Sequence, residues 1–112
     1  MQNKDLPAIK NLDMGLIKAC NSARQALSLC IRASGFADET VADELGISKG
    51  YLSKVLSGRA SLDGDRRIKL MQICGNRAPL QYEAWAMGLS TTDRDPSDML
   101  REAIELLARR NG

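Results

Sequence analysis

Between Ser48 and Arg59 the chain reads SKGYLSKVLSGR, and its polar side chains are of kinds that bind rather than react. Lys49 and Lys54 can donate to guanine O6 and N7 or to phosphate oxygen. Ser53 and Ser57 donate or accept at either kind of group, and Tyr51 offers a hydroxyl for phosphate and a ring for a thymine methyl. Gly50 adds no bulk at a helical position where glycine costs about 1 kcal/mol relative to alanine, and close approach to a duplex is a sufficient reason for it. Arg59, in the loop that follows, is placed to clamp a phosphate beside the groove. With Ser48 at the near end, these residues form the candidate DNA-contact set. The helix Lys49 to Ser57 has no Gln, Asn or Arg pointing outward, so strong two-bond reading of adenine is absent and modest specificity per half-site is expected.

Covalent chemistry has little to work with. There is no histidine in the 112 residues and no glycine-rich phosphate loop. The adjacent acids Asp43 and Glu44 diverge by about 100° on a helix and cannot share a substrate. The three cysteines, Cys20, Cys30 and Cys74, contain no CxxC pair. Structural zinc and histidine-based acid/base catalysis are therefore not expected, and no catalytic residue, metal or cofactor is assigned. Cys30 and Cys74 fall among helical core positions and read as buried thiols.

The contact set needs elements to hold it. Residues 38–57, DETVADELGISKGYLSKVLS, carry Ala42, Leu45, Ile47, Leu52, Val55 and Leu56 at helical spacing, with Gly46 at a bend. Gly46 suits the left-handed conformation that closes a helix, and Ser48 suits the N-cap of the next. Ala42, one turn before the bend, lets two helices cross closely. In the second helix, Lys49 to Ser57, Leu52, Val55 and Leu56 group on one side. Gly50, Ser53, Lys54 and Ser57 take the opposite side, flanked by Lys49 and Tyr51. These are the requirements of a helix-turn-helix.

The stretch resembles the helix-turn-helix of phage repressor-type regulators, with Ala42, Gly46, Ile47, Leu52 and Val55 at the positions that family uses. From about Ser22 to Gly88, ALSLCIRASG, SGRASL and LMQICGNRAPLQYEAW are similar to small phage regulatory proteins. The resemblance implies an all-α, compact five-helix lambda-repressor-like DNA-binding domain and a transcriptional regulator. It leans towards a homodimeric repressor or autoregulator of a phage or prophage operon, with activation as a close rival. An interaction module, an antitoxin or an inhibitor of a host defence protein, is the alternative from a different class; its DNA binding would be only autoregulatory.

Charge distribution agrees with this more than the net charge of +2 does. Asp38, Glu39, Asp43 and Glu44 stand unopposed between Phe36 and Leu45. From Gly46 to Arg77, seven bases face two acids, so positive charge gathers on and after the second helix.

The flanking elements follow from caps and periodicity. Residues 1–21 read as an N-terminal extension, packed or frayed rather than an arm on DNA. A Ser22/Gln25 capping box starts a helix to Ser34, with Ala23, Leu27, Cys30 and Ile31 inward. Asp38 caps the next helix. Ser61 or Asp63 caps one carrying Ile68, Leu70, Met71, Ile73 and Cys74 on more than one side, which predicts a sandwiched helix. Pro79 opens another, with Leu80, Ala84 and Met87 as one stripe and Tyr82 and Trp85 as a second, Trp85 packed. The domain thus spans 22–88, with a linker at 89–95 and a C-terminal amphipathic helix at 96–112. On that helix Met99, Leu100, Ala103, Ile104 and Leu107 are expected to pair with a second chain. The expected partners are a double-stranded DNA operator and a second copy. No run is long enough to span a membrane and no secretory pattern is present, so a cytoplasmic location is expected.

Overall fold

A computed structural model describes residues 9–89 and 96–111, with the side chains of the last helix over residues 100–109. Among these residues the structure is all-α: α1 (Met14–Lys18), α2 (Ala23–Ser34), α3 (Asp38–Leu45), α4 (Lys49–Leu56), α5 (Gly64–Cys74), α6 (Ala78–Ala86) and α7 (Pro96–Asn111). An isolated parallel bridge between Lys10 and Asn76 is the one extended pairing among them. No described helix is long and apolar enough to cross a membrane.

The core gathers one face from each of α1 to α5 and the start of α6. Ile17, Cys30, Ile31, Val41, Ala42, Leu45, Leu52, Val55, Leu70, Met71, Cys74 and Ala78 form a continuous buried cluster. Burying each large member stabilises the fold by about 1.5–3 kcal/mol before the entropy of ordering the chain is counted. α2 packs against α4, α5 and α6, and α3 against α4 and α5, so α2 and α5 hold the α3–α4 pair from two sides.

Helix starts show how the sequence sets these elements. Ser22 accepts the Gln25 amide (3.2 Å), while the Gln25 side chain takes the Asn21 amide (2.6 Å), a capping box displaced by one residue. Asp38 is not a cap: Ala37 holds the N-cap position, and the Asp38 carboxylate pairs with Arg32 at 3.0 Å instead. Asp63 is at the N-cap of α5 but makes no capping bond, because its carboxylate takes Arg66.

Four expected faces differ. On α2, Ala26 is buried with Cys30 and Ile31 while Ala23 is exposed, since the stripe runs through 26, 30 and 31 once Leu27 sits at its edge. On α5, Ile68 is 54% exposed, so the helix is not sandwiched; two residues from Leu70, Ile68 lies about 200° away and faces solvent. On α6, Leu80 and Met87 are exposed, and Ala78, Pro79, Gln81 and Ala84 face inward. Trp85 is 39% exposed and packs at a tilt near Tyr82, with ring centroids 6.0 Å apart.

The reason for the turn of α6 lies in the N-terminal segment. Gln81 is fully buried; its Oε1 accepts the Leu12 amide (2.8 Å) and its Nε2 donates to the Leu12 carbonyl (2.9 Å). The amide side chain acts as a strand partner for one residue, which brings a polar position inside at no unsatisfied cost. Lys10 exchanges backbone bonds with Gly75 and Arg77, and Arg77 donates to the Ile9 carbonyl at 2.6 Å. The segment expected as an extension is therefore, from Ile9 onward, tied to the body, and Ile17 is fully buried. Residues 1–8 and 90–95, which include most of the expected linker, lie outside the described residues.

Cys30 and Cys74 are buried free thiols, and Cys20 is partly buried. A hydrogen bond with Cys74, and then burial, push the Cys30 thiol above the ordinary range, keeping it protonated.

Candidate nucleic-acid interface

The corner between α3 and α4 is built as the residue types require. Gly46 has φ 73°, and the amide of Ile47 reaches back to the Ala42 carbonyl (3.0 Å), closing α3 in one turn. Ser48 Oγ then accepts the Tyr51 amide at 3.0 Å and starts α4. Arg66 from α5 donates Nε to the Leu45 carbonyl (3.3 Å), satisfying one of the orphan acceptors at the end of α3. Leu52 and Val55 are buried beneath α4, and Leu56 is half-buried.

The opposite side of α4 is bare. Lys49, Gly50, Ser53, Lys54 and Ser57 are all exposed. A Cβ added at Gly50 meets nothing closer than Ser48 Oγ at 4.0 Å, so the fold itself makes no demand for glycine there. α4 ends at Leu56, with Ser57 as the C-cap. Gly58, at φ 83°, turns the chain so that the amides of Arg59 and Ala60 both reach the Lys54 carbonyl (2.8 and 3.2 Å).

Individual side chains are less equivalent than their spacing implies. Lys49 Nζ lies 3.5 Å from Glu39, so its charge is locally offset by α3. Lys54 makes no ion pair among the described residues. Arg59 donates Nε to Ser57 Oγ (3.0 Å), and Ser57 in turn donates to the Lys54 carbonyl (3.1 Å), a short chain that orients the guanidinium. Tyr51 donates its hydroxyl to the Ser61 carbonyl at 2.7 Å. That bond fixes the loop after α4 against the helix and leaves the phenol oxygen to act only as an acceptor, so Tyr51 holds the loop rather than offering a proton to phosphate.

Two features carry no local mark in the sequence. One is an open groove of about 580 Å³ beside α4, lined by Ile47, Ser48, Tyr51, Leu62, Asp63 and Arg66 among others. The other is Arg24, on the first turn of α2. A Cβ at Gly58 would sit 3.3 Å from its Cδ and 3.5 Å from its Nε, so the Arg24 side chain lies against Gly58, the residue that precedes Arg59 in the chain. Only the packing of α2 on α4 brings it there, for in sequence the two lie far apart.

Of the residues expected to pair with a second chain, Leu100, Ala103, Ile104 and Leu107 are exposed on α7, and the Met99 side chain lies outside the described set. No group of three metal-ligating side chains occurs among the described residues. Compared with models of known families, with characterised proteins and with solved structures, the chain matches none.

Proposed function

We propose that this chain is a sequence-specific, double-stranded DNA-binding transcriptional regulator of lambda-repressor-like architecture, a binding module rather than an enzyme. The unit α2–α6 presents α4 to the major groove. Ser48, Lys49, Gly50, Tyr51, Ser53, Lys54, Ser57 and Arg59 border the duplex. Lys54, Ser53 and Ser57 face base edges and phosphates, Arg59 clamps the backbone beside the groove, and Tyr51 sets the loop that carries it. The observation that carries the reading is the bare outer side of α4: small, polar and basic, with a glycine that the surrounding fold does not require.

The regulator acts as a homodimer through α7, with Leu100, Ile104 and Leu107 in the contact and half-sites about 34 Å apart on the duplex. Those side chains show half or more of their surface to solvent in the single chain. Repression or autoregulation of a phage or prophage operon, in a cytoplasm, is the setting that the family resemblance suggests. Affinity resides in a few phosphate contacts and falls as salt rises.

The test is protection of the DNA upstream of the chain's own gene, with the double variant Lys54→Ala, Arg59→Ala as control. Both residues are exposed, so the variant keeps its fold by circular dichroism and loses the footprint. A footprint that survives the double change removes α4 from the contact. A second reading is favoured by the apolar surface of Leu80, Met87 and Leu89 on α6 and just beyond it, together with α7. It is an interaction module that neutralises a protein partner, and a stable one-to-one complex with a second protein that needs no DNA would select it.

A further inference from the structure

α4 is electrostatically lopsided. Before its N-terminus lies α3 with the acids Asp38, Glu39, Asp43 and Glu44, of which Asp38 is paired with Arg32 at 3.0 Å and Glu39 with Lys49 at 3.5 Å. Around its C-terminus stand Lys54 and Arg59 and, from a different part of the chain, Arg24, whose stem lies against Gly58. Among the described residues none of these three bases pairs with an acid. A polyanion laid along α4 meets a lysine already compensated by Glu39 at one end and three cations without an acidic partner among the described residues at the other.

We infer that the duplex backbone is held at the C-terminal end of α4, and that Arg24 is a phosphate ligand there, forming one clamp with Lys54 and Arg59. The inference rests on the duplex-binding function proposed above and adds to it both a residue and a polarity. Gly58 is what makes the clamp possible. Its left-handed conformation reverses the chain over Lys54, and its lack of a side chain leaves the shelf on which the Arg24 stem lies. Ser57 accepts the Arg59 Nε–H (3.0 Å) and so orients its guanidinium. Two guanidiniums and one ammonium so placed suit the oxygens of adjacent phosphates, which are read without regard to base sequence. Lys49, held by Glu39, contributes little to that attraction.

The experiment is a salt titration of binding by the full chain, followed by fluorescence anisotropy, on two labelled duplexes: the DNA upstream of its own gene and an unrelated sequence. Arg24→Ala is expected to weaken binding about tenfold on both. It should also flatten the dependence of log K on log salt by about 0.9, the signature of one phosphate fewer neutralised by the protein. Arg24→Lys should restore most of the slope, and Lys49→Ala should flatten it less than Arg24→Ala does, because Glu39 already offsets that ammonium. Circular dichroism melts of all three variants should overlay the wild type, because both positions are exposed. An unchanged slope for Arg24→Ala with wild-type binding intact overturns the clamp and leaves the DNA-binding reading standing. Equal slope changes for Arg24→Ala and Lys49→Ala overturn the polarity. Failure of the wild-type chain to bind either duplex overturns both the inference and the reading beneath it.

Discussion

Residues 9–20 and α7 both carry large apolar side chains beside the α2–α6 body, and the two differ in how they bury them. The first buries Ile17 completely and gives up its backbone groups to Gln81, Gly75 and Arg77. The second leaves Leu100, Ile104, Leu106 and Leu107 each at least half exposed. Large apolar side chains are plentiful in both, Ile9, Leu12, Met14, Leu16 and Ile17 in the one and the four just named in the other. Residues 9–12 are held by the rest of the chain through a buried side-chain amide and a loop of backbone. An extended segment joins the core when its polar backbone is also provided for, whereas α7, whose backbone is paired within its own helix, keeps its apolar side available to another molecule.

Ile17→Ala puts the greatest strain on this contrast. It empties a fully buried site and should cost about 3 kcal/mol in urea denaturation, a loss that marks residues 9–20 as part of the cooperative unit. A cost under about 0.5 kcal/mol, within the range of ordinary surface changes, would mean that the segment is peripheral like α7. Gln81→Ala comes next. It strands the Leu12 amide and carbonyl and should cost about 2 kcal/mol, with faster hydrogen exchange at Leu12 as the local signature. Gly50→Ala should raise stability by up to about 1 kcal/mol, since its φ is ordinary and space is open, while weakening duplex binding. A stabilised variant with unaltered binding would show that nothing approaches that position closely. Smallest is Ile104→Asp on α7, which should change the stability of the single chain by less than about 0.5 kcal/mol. It should nevertheless abolish any dimer seen by sedimentation, and a large fall in monomer stability would instead place α7 against its own body.

The α3–α4 corner was legible because its signals are local. Gly46, the Ser48 cap and the spacing of Ala42, Leu45, Leu52 and Val55 act within a few residues of where they are read. The same holds for the Ser22 cap and for the order of α2 to α6. What escaped depends on partners far along the chain. Gln81 sits 69 residues from Leu12, and no periodicity marks a glutamine as a core residue. With Gln81 inside, Leu80 and Met87 lie outside, so of the stripe expected on α6 only Ala84 faces inward. Ile68 misled for a simpler reason: an isoleucine on an exposed helix face is common, and only its angle from Leu70 reveals it. Arg24 was invisible because its place comes entirely from the crossing of α2 over the turn after α4. Among the expected contact residues, Lys49 and Tyr51 proved to have attachments within the protein, to Glu39 and Ser61, which spacing alone does not reveal.

The three sulfurs lie at different depths, and this gives the molecule a built-in clock. Cys20 is reachable in the folded state, whereas Cys30 and Cys74 are enclosed between α2 and α5. A thiol-labelling reagent should therefore modify one site promptly and the other two only as fast as the whole chain opens. Mass spectrometry of the labelled protein then reports opening rates in undenatured buffer, with no added probe, and shows whether a bound duplex slows them.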